Sequence, residues 1–168
     1  GAEAIFPGNA LANTSGAALT EDVEIAITPI DPYRDEELSA TPGNFTAIVD
    51  GTTVMLESLG LMDISVVNPN TLEQPLNLAD GVSIEIRIPA SEGLKDFLKI
   101  VPLWRFDYSI AQWVLEGEAT LDDVSKTYIA SISKLGLWNI SFFYKSTCIT
   151  GRLTDSNGTA YKYRARSE

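Results

Sequence analysis

The chain of 168 residues contains no histidine, a single cysteine, and 12 basic residues against 23 acidic ones. Without histidine there is no Ser-His-Asp or Cys-His catalysis and no histidine-held zinc. Cys148 cannot form an intramolecular disulfide or a cysteine-rich metal site; it reads as a small hydrophobe in a strand, the alternative being a bond to a cysteine elsewhere. The shortage of positive charge leaves a net charge of -11. Such a surface repels phosphate, so neither nucleic acid nor anionic lipid is an expected partner. No apolar run reaches the roughly 18 residues that cross a bilayer, so membrane insertion is not expected. P-loop, nucleophile-elbow and dinucleotide-binding glycine patterns are missing as well. The opening "GAEA" has neither an initiator methionine nor a signal-peptide pattern, and the expectation is a piece of a longer parent chain.

What is present has a period of two. Val23, Ile25 and Ile27 alternate with Glu24, Ala26 and Thr28, and Val82, Ile84, Ile86 and Ile88 alternate with Ser83, Glu85 and Arg87. Half-buried strands alternate in this way. "MDISVV" (62–67) and "YIASIS" (128–133) read as two more strands. Pro-Gly, Asp-Gly, Asn-Gly and Asn-Pro turn signals separate the strands. Apolar residues make up 45% of the chain, enough to fill one core. The pattern predicts an all-β fold, an antiparallel Greek-key β-sandwich, with at most one short helix over about 91–99 behind a Ser91 N-cap. The acidic stretch 31–43 reads as a solvated loop.

Candidate sites are few. In "VPLWRFDYSIAQWVLEGEATL" (101–121) Trp104, Phe106 and Tyr108 share one strand face, opposite Arg105 and Asp107. The returning strand puts Trp113 and Leu115 on one face, with Val114 and Glu116 on the other. This is a β-hairpin whose aromatic face packs on a core. A binding platform for carbohydrate or a surface protein would instead need an exposed ring beside polar groups, and its residues would be Trp104, Arg105, Asp107, Gln112 and Trp113. Asp107, Glu116 and Glu118 are the nearest thing to a glycosidase carboxylate pair and read as solvent-facing. Calcium is the only ion the loops suggest, through Asp31, Asp35, Glu36 and Glu37, or through Asp122 and Asp123, none at EF-hand spacing. Four tripeptides match the N-glycosylation acceptor, beginning at Asn13, Asn44, Asn139 and Asn157.

Taken in order, "FPGNAL", "VEIAITPIDP", "TPGNFTAI", "VMLESLGLMDISVVNPNTLEQPLNLADGVSIEIRIP" and the aromatic hairpin resemble the ZU5-like β-sandwich modules of large secreted and surface proteins. The likeness spans most of residues 4–146 and implies one module over residues 1–146. Some members of that family cleave themselves at His-Phe-Ser. The corresponding place here is Lys134-Leu135-Gly136, which has no hydroxyl nucleophile and no neutral base, so no self-cleavage is expected. The tail 147–168 is similar to the first hairpin of a carboxypeptidase regulatory-like domain, with Ile149, Gly151, Leu153, Asp155 and Gly158 in that family's pattern. It either completes the first sandwich or starts a second domain. These resemblances imply a non-catalytic structural or adhesive module, extracellular or on the cell surface, with neighbouring domains as its first partners. The alternative is a carbohydrate- or protein-binding module using exposed aromatics of the 103–115 hairpin.

Overall fold

The computed structural model describes residues 1–13, 16, 19, 22–69, 76–91 and 97–145. Its strands are β1 (Glu3–Ile5), β2 (Leu11–Ala12), β3 (Glu24–Ile30), β4 (Thr46–Val49), β5 (Thr52–Val67), β6 (Asn77–Leu78), β7 (Ile84–Pro89), β8 (Ile100–Asp107), β9 (Gln112–Asp122), β10 (Thr127–Ile132) and β11 (Gly136–Lys145). The fold is all-β and antiparallel apart from one bridge, with one short helix among the described residues, α1 (Asp35–Leu38). That helix lies in the acidic stretch expected to be loop, where Asp35, Glu36 and Glu37 fill its first turn and suit the positive end of the backbone dipole. Of the segment expected to be helical, residues 92–96 lie outside the described residues, as does the 147–168 hairpin with Cys148.

The long strand β5 organises the molecule. One of its edges pairs first with β4 and then with β3; the other pairs with β11 from Val54 to Ile64. At Leu59 the register with β11 skips a residue, Ile140 facing Gly60 and Ser141 facing Ser58. This β-bulge rotates the second half of the strand relative to the first. As a result Leu59, Gly60, Leu61 and Met62 are all buried, the strand being covered on both faces. Its neighbour β11 is covered in the same way from Leu137 to Ser141.

On one face lies a large aliphatic core. Ile84, Ile86 and Ile88 of β7 with Tyr128, Ala130 and Ile132 of β10 pack on Leu59, Met62, Ile64, Val101, Leu103, Trp138 and Ile140. Here the alternation of β7 is realised as read from the sequence, each isoleucine inside and each intervening residue partly exposed. Near the end of β7 the layers approach so closely that only glycine fits at position 60, since a Cβ there would collide with the Pro89 carbonyl oxygen. A hydrogen bond from Ser91 N–H to Leu59 O (2.8 Å) ties the same corner.

On the opposite face lies a smaller core of Ala47, Val54, Leu56, Leu61, Trp104, Phe106, Trp113 and Leu137. It fills a ring formed by β4, β5, β11, β8 and β9, closed by a single parallel pairing, Ala47 with Trp113. A second bulge, where the β8 register jumps from Gly117 to Leu115, leaves Glu116 as the extra residue of β9. It turns Trp113 towards the small core and Ala119 and Leu121 towards the large one. The edge strand β3 departs from expectation: its alternation is present, yet Ile25 is 40% exposed and only Ile27 and Ile30 reach the cores.

Candidate functional site

The aromatic hairpin forms as β8 and β9, and its indoles point inward. Trp104 is 0% exposed and donates its N–H to Ser141 O (3.1 Å), while Trp138, 2% exposed, donates to Lys134 O (3.2 Å). Trp113 is 2% exposed, stacked on Phe45 and in edge contact with Phe106. The rings pack on a core as the hairpin pattern predicts, and the alternative reading of an exposed platform at Trp104 and Trp113 is corrected. A sugar or peptide has no access to the faces of Trp104 and Trp113, because the bulge and the period-two alternation commit both rings to the small core. Tyr108 departs from its strand parity in the other sense: it sits at the turn, 66% exposed, against the edge of Phe106.

Arg105 and Asp107 stand on the opposite face. The Arg105 guanidinium bridges Asp107 and the bulge residue Glu116, each at 2.9 Å, and Lys134 reaches Glu116 at 3.0 Å. Asp107 is held down to about 2 by the Ser109 hydroxyl, the Arg105 guanidinium and the Ser109 N–H. For Glu116 burial acts to raise the pKa, but hydrogen bonds from Lys134 and Arg105 together outweigh it and the net shift is downward. Both carboxylates are thus kept ionised, Asp107 first by the Ser109 hydroxyl and then by Arg105, and Glu116 by Lys134 and Arg105. A glycosidase pair needs one member raised enough to hold its proton.

The acidic stretch makes internal contacts. Asp31 accepts from Ser91 Oγ (2.6 Å) and from Tyr33 N–H, and Glu37 accepts from Asp31 N–H (2.8 Å). Arg34 pairs with both acids, while Asp35 and Glu36 point to solvent. No group of three or more metal-ligating side chains converges among the described residues. The expected calcium set is corrected accordingly: helix formation over Asp35–Leu38 spreads Asp35, Glu36 and Glu37 around a turn instead of gathering their oxygens. Asp122 caps its own turn through Val124 N–H and Ser125 Oγ. Of the glycosylation tripeptides, Asn139 is 0% exposed and closed to a transferase in the folded protein, whereas Asn44 is exposed.

Sequence reasoning missed the region where β4 meets the start of β9. Because a single residue pair closes the ring there, the strands diverge and leave a pocket of about 300 Å³. Gln112 and Trp113 line it from the hairpin, and Gly43, Asn44, Thr46 and Thr53 line it from the other side. Of this group the sequence marked Gln112, Trp113, a Pro-Gly turn signal at Gly43 and a glycosylation tripeptide at Asn44, without any sign that they meet. No described helix is long and apolar enough to cross a membrane. Protein families, curated proteins and solved structures contain no match to this chain.

Proposed function

We propose that the chain is a non-catalytic, ZU5-like β-module with a structural or adhesive role in a larger secreted or cell-surface protein. The observation that carries this reading is the two-sided core, with β5 covered on both faces between an aliphatic and an aromatic cluster, which suits a stiff spacer. The hairpin carboxylates Asp107 and Glu116 are ion-paired and held ionised, which supports a non-catalytic role. Placement on a secreted or surface protein rests on the ordered segments that resemble ZU5-like modules.

Two measurements test the reading. The intact mass of the full chain should stay constant on prolonged incubation, and glycoside substrates should be left unhydrolysed; a cut after Leu135 or measurable turnover overturns the non-catalytic assignment.

A further inference from the structure

The large core stops short along the sheet that it covers. On β11 Trp138, Ile140 and Phe142 turn to that core, and the next residue on the same side, Tyr144, does not reach it. Tyr144 lies opposite Met55 of β5, and Met55 lies opposite Thr46 of β4, so the three stand in a row on one face. Ile48, two residues on from Thr46, shares that face. Ala47, Val54 and Leu56, which alternate with these residues, fill the small core from the other side. Ile48, Met55 and Tyr144 are between 45% and 53% exposed, and none of them packs on either core. A single apolar side chain on a surface is ordinary, but neighbouring ones that prolong a core mark a face for a partner.

The chain itself supplies an occupant. β11 ends at Lys145, directly after Tyr144, and residues 146–168 follow. In their sequence Ile149, Gly151 and Leu153 alternate with Thr150, Arg152 and Thr154, and Tyr161, Tyr163 and Ala165 alternate with Lys162, Arg164 and Arg166. Between the two runs Ser156-Asn157-Gly158 suits a three-residue hairpin loop with glycine last. That register sets Leu153 opposite Tyr161 and Gly151 opposite Tyr163, so the sequence predicts one apolar side and one basic side. A two-stranded ribbon of this kind is at best marginally stable alone and needs a surface for its apolar side. Charge favours the body of this chain as that surface. The stretch 147–168 carries Arg152, Lys162, Arg164 and Arg166 against Asp155 and Glu168, whereas the chain as a whole has a net charge of -11.

We propose that the face of Ile48, Met55 and Tyr144 is the docking surface for residues 147–168 of the same chain, seated apolar side down so that the large core extends over the first half of β5. The stretch then completes the first sandwich and does not start a second domain. The two methionines of the chain report on this directly, because Met55 lies in the seat and Met62 in the large core. The full chain carries ¹³C-labelled methionine methyls and is exposed to a soluble paramagnetic reagent, with Met55→Leu identifying the Met55 signal by its loss. In the parent the Met55 methyl should be broadened about as little as that of Met62. The double variant Tyr161→Ser/Tyr163→Ser should raise the broadening of Met55 severalfold and leave Met62 unchanged, which shows that the cores stay closed. Ile48→Ser, at an exposed position, approaches the same contact from the other side and should speed tryptic cleavage after Arg152 severalfold. The proposal is overturned by a Met55 methyl that is freely broadened in the parent. It is also overturned if neither the tyrosine variant nor Ile48→Ser changes its readout. Protection of Met55 that disappears on dilution, together with a dimer in sedimentation, assigns the face to a second copy and overturns it as well.

Discussion

The two cores on either side of β5 are built differently. The large one is mainly aliphatic, built on the clean alternation of β7, and its polar ring tips are paired: Tyr128 donates to Leu98 O at 2.8 Å and Trp138 to Lys134 O at 3.2 Å. The small one is aromatic, and all the unpartnered buried polar side-chain atoms among the described residues lie on its side: Trp113 Nε1, Asn139 Nδ2 and Ser141 Oγ. Asn139 and Ser141 follow Leu137 along the face of β11 that turns towards the small core, and the Asn139 Oδ1 atom is bonded to Ser58 Oγ at 2.6 Å. A core can be made with its buried polar tips paired, and this chain does so on one side; on the other it accepts unpaired polar atoms beside a weakly closed seam.

The largest test of that contrast is truncation in the centre of the small core. Trp104→Ala removes a fully buried ring and its bond to Ser141 and should cost about 3–5 kcal/mol, against about 1 kcal/mol for Ile86→Val in the large core. Urea denaturation measures both, and near-equal losses would mean the small core adds little to stability. A sharper test exploits the orphans. Ser58→Ala leaves Asn139 Oδ1 unpaired and should destabilise by about 1–2 kcal/mol, whereas Ser141→Ala removes a hydroxyl that bonds nothing and should be neutral or slightly stabilising, within about 1 kcal/mol. Losses of the same size in both variants would show that Ser141 Oγ has a partner in solution. The smallest effect concerns the outer face of the hairpin. Asp107 falls from its ordinary 3.8 to about 2 on folding, so its contribution is complete above about pH 4 and is lost as pH falls through about 2. Thermal melts of Asp107→Asn and the parent should differ at neutral pH and converge near pH 2; a gap that persists there removes the ion pair as its cause.

How far this could be read from the sequence depended on which contacts set each element. β7 and the aromatic hairpin were legible because burial on one face leaves a period-two record. β5 was legible only in its second half: a strand buried on both faces reads as a continuous apolar run, and the bulge at Leu59 breaks the alternation in "MLESLGLM". β3 had the right alternation and the wrong burial, because period reports which residues could face a core and not whether a second layer arrives. The pocket was invisible for a related reason. Gly43 and Trp113 are remote in sequence and meet through one parallel bridge that leaves no local pattern.

The unequal pairing of β1 and β11 also has a mechanical consequence for a chain pulled along its backbone. The two anchors are unequal: β11 is paired with β5 from Gly136 to Lys145 and also with β8, whereas β1 is held by three residue pairs to β7 and an ion pair from Glu3 to Arg87. Under load β1 would yield first, lengthening the chain by a few residues while both cores stay closed.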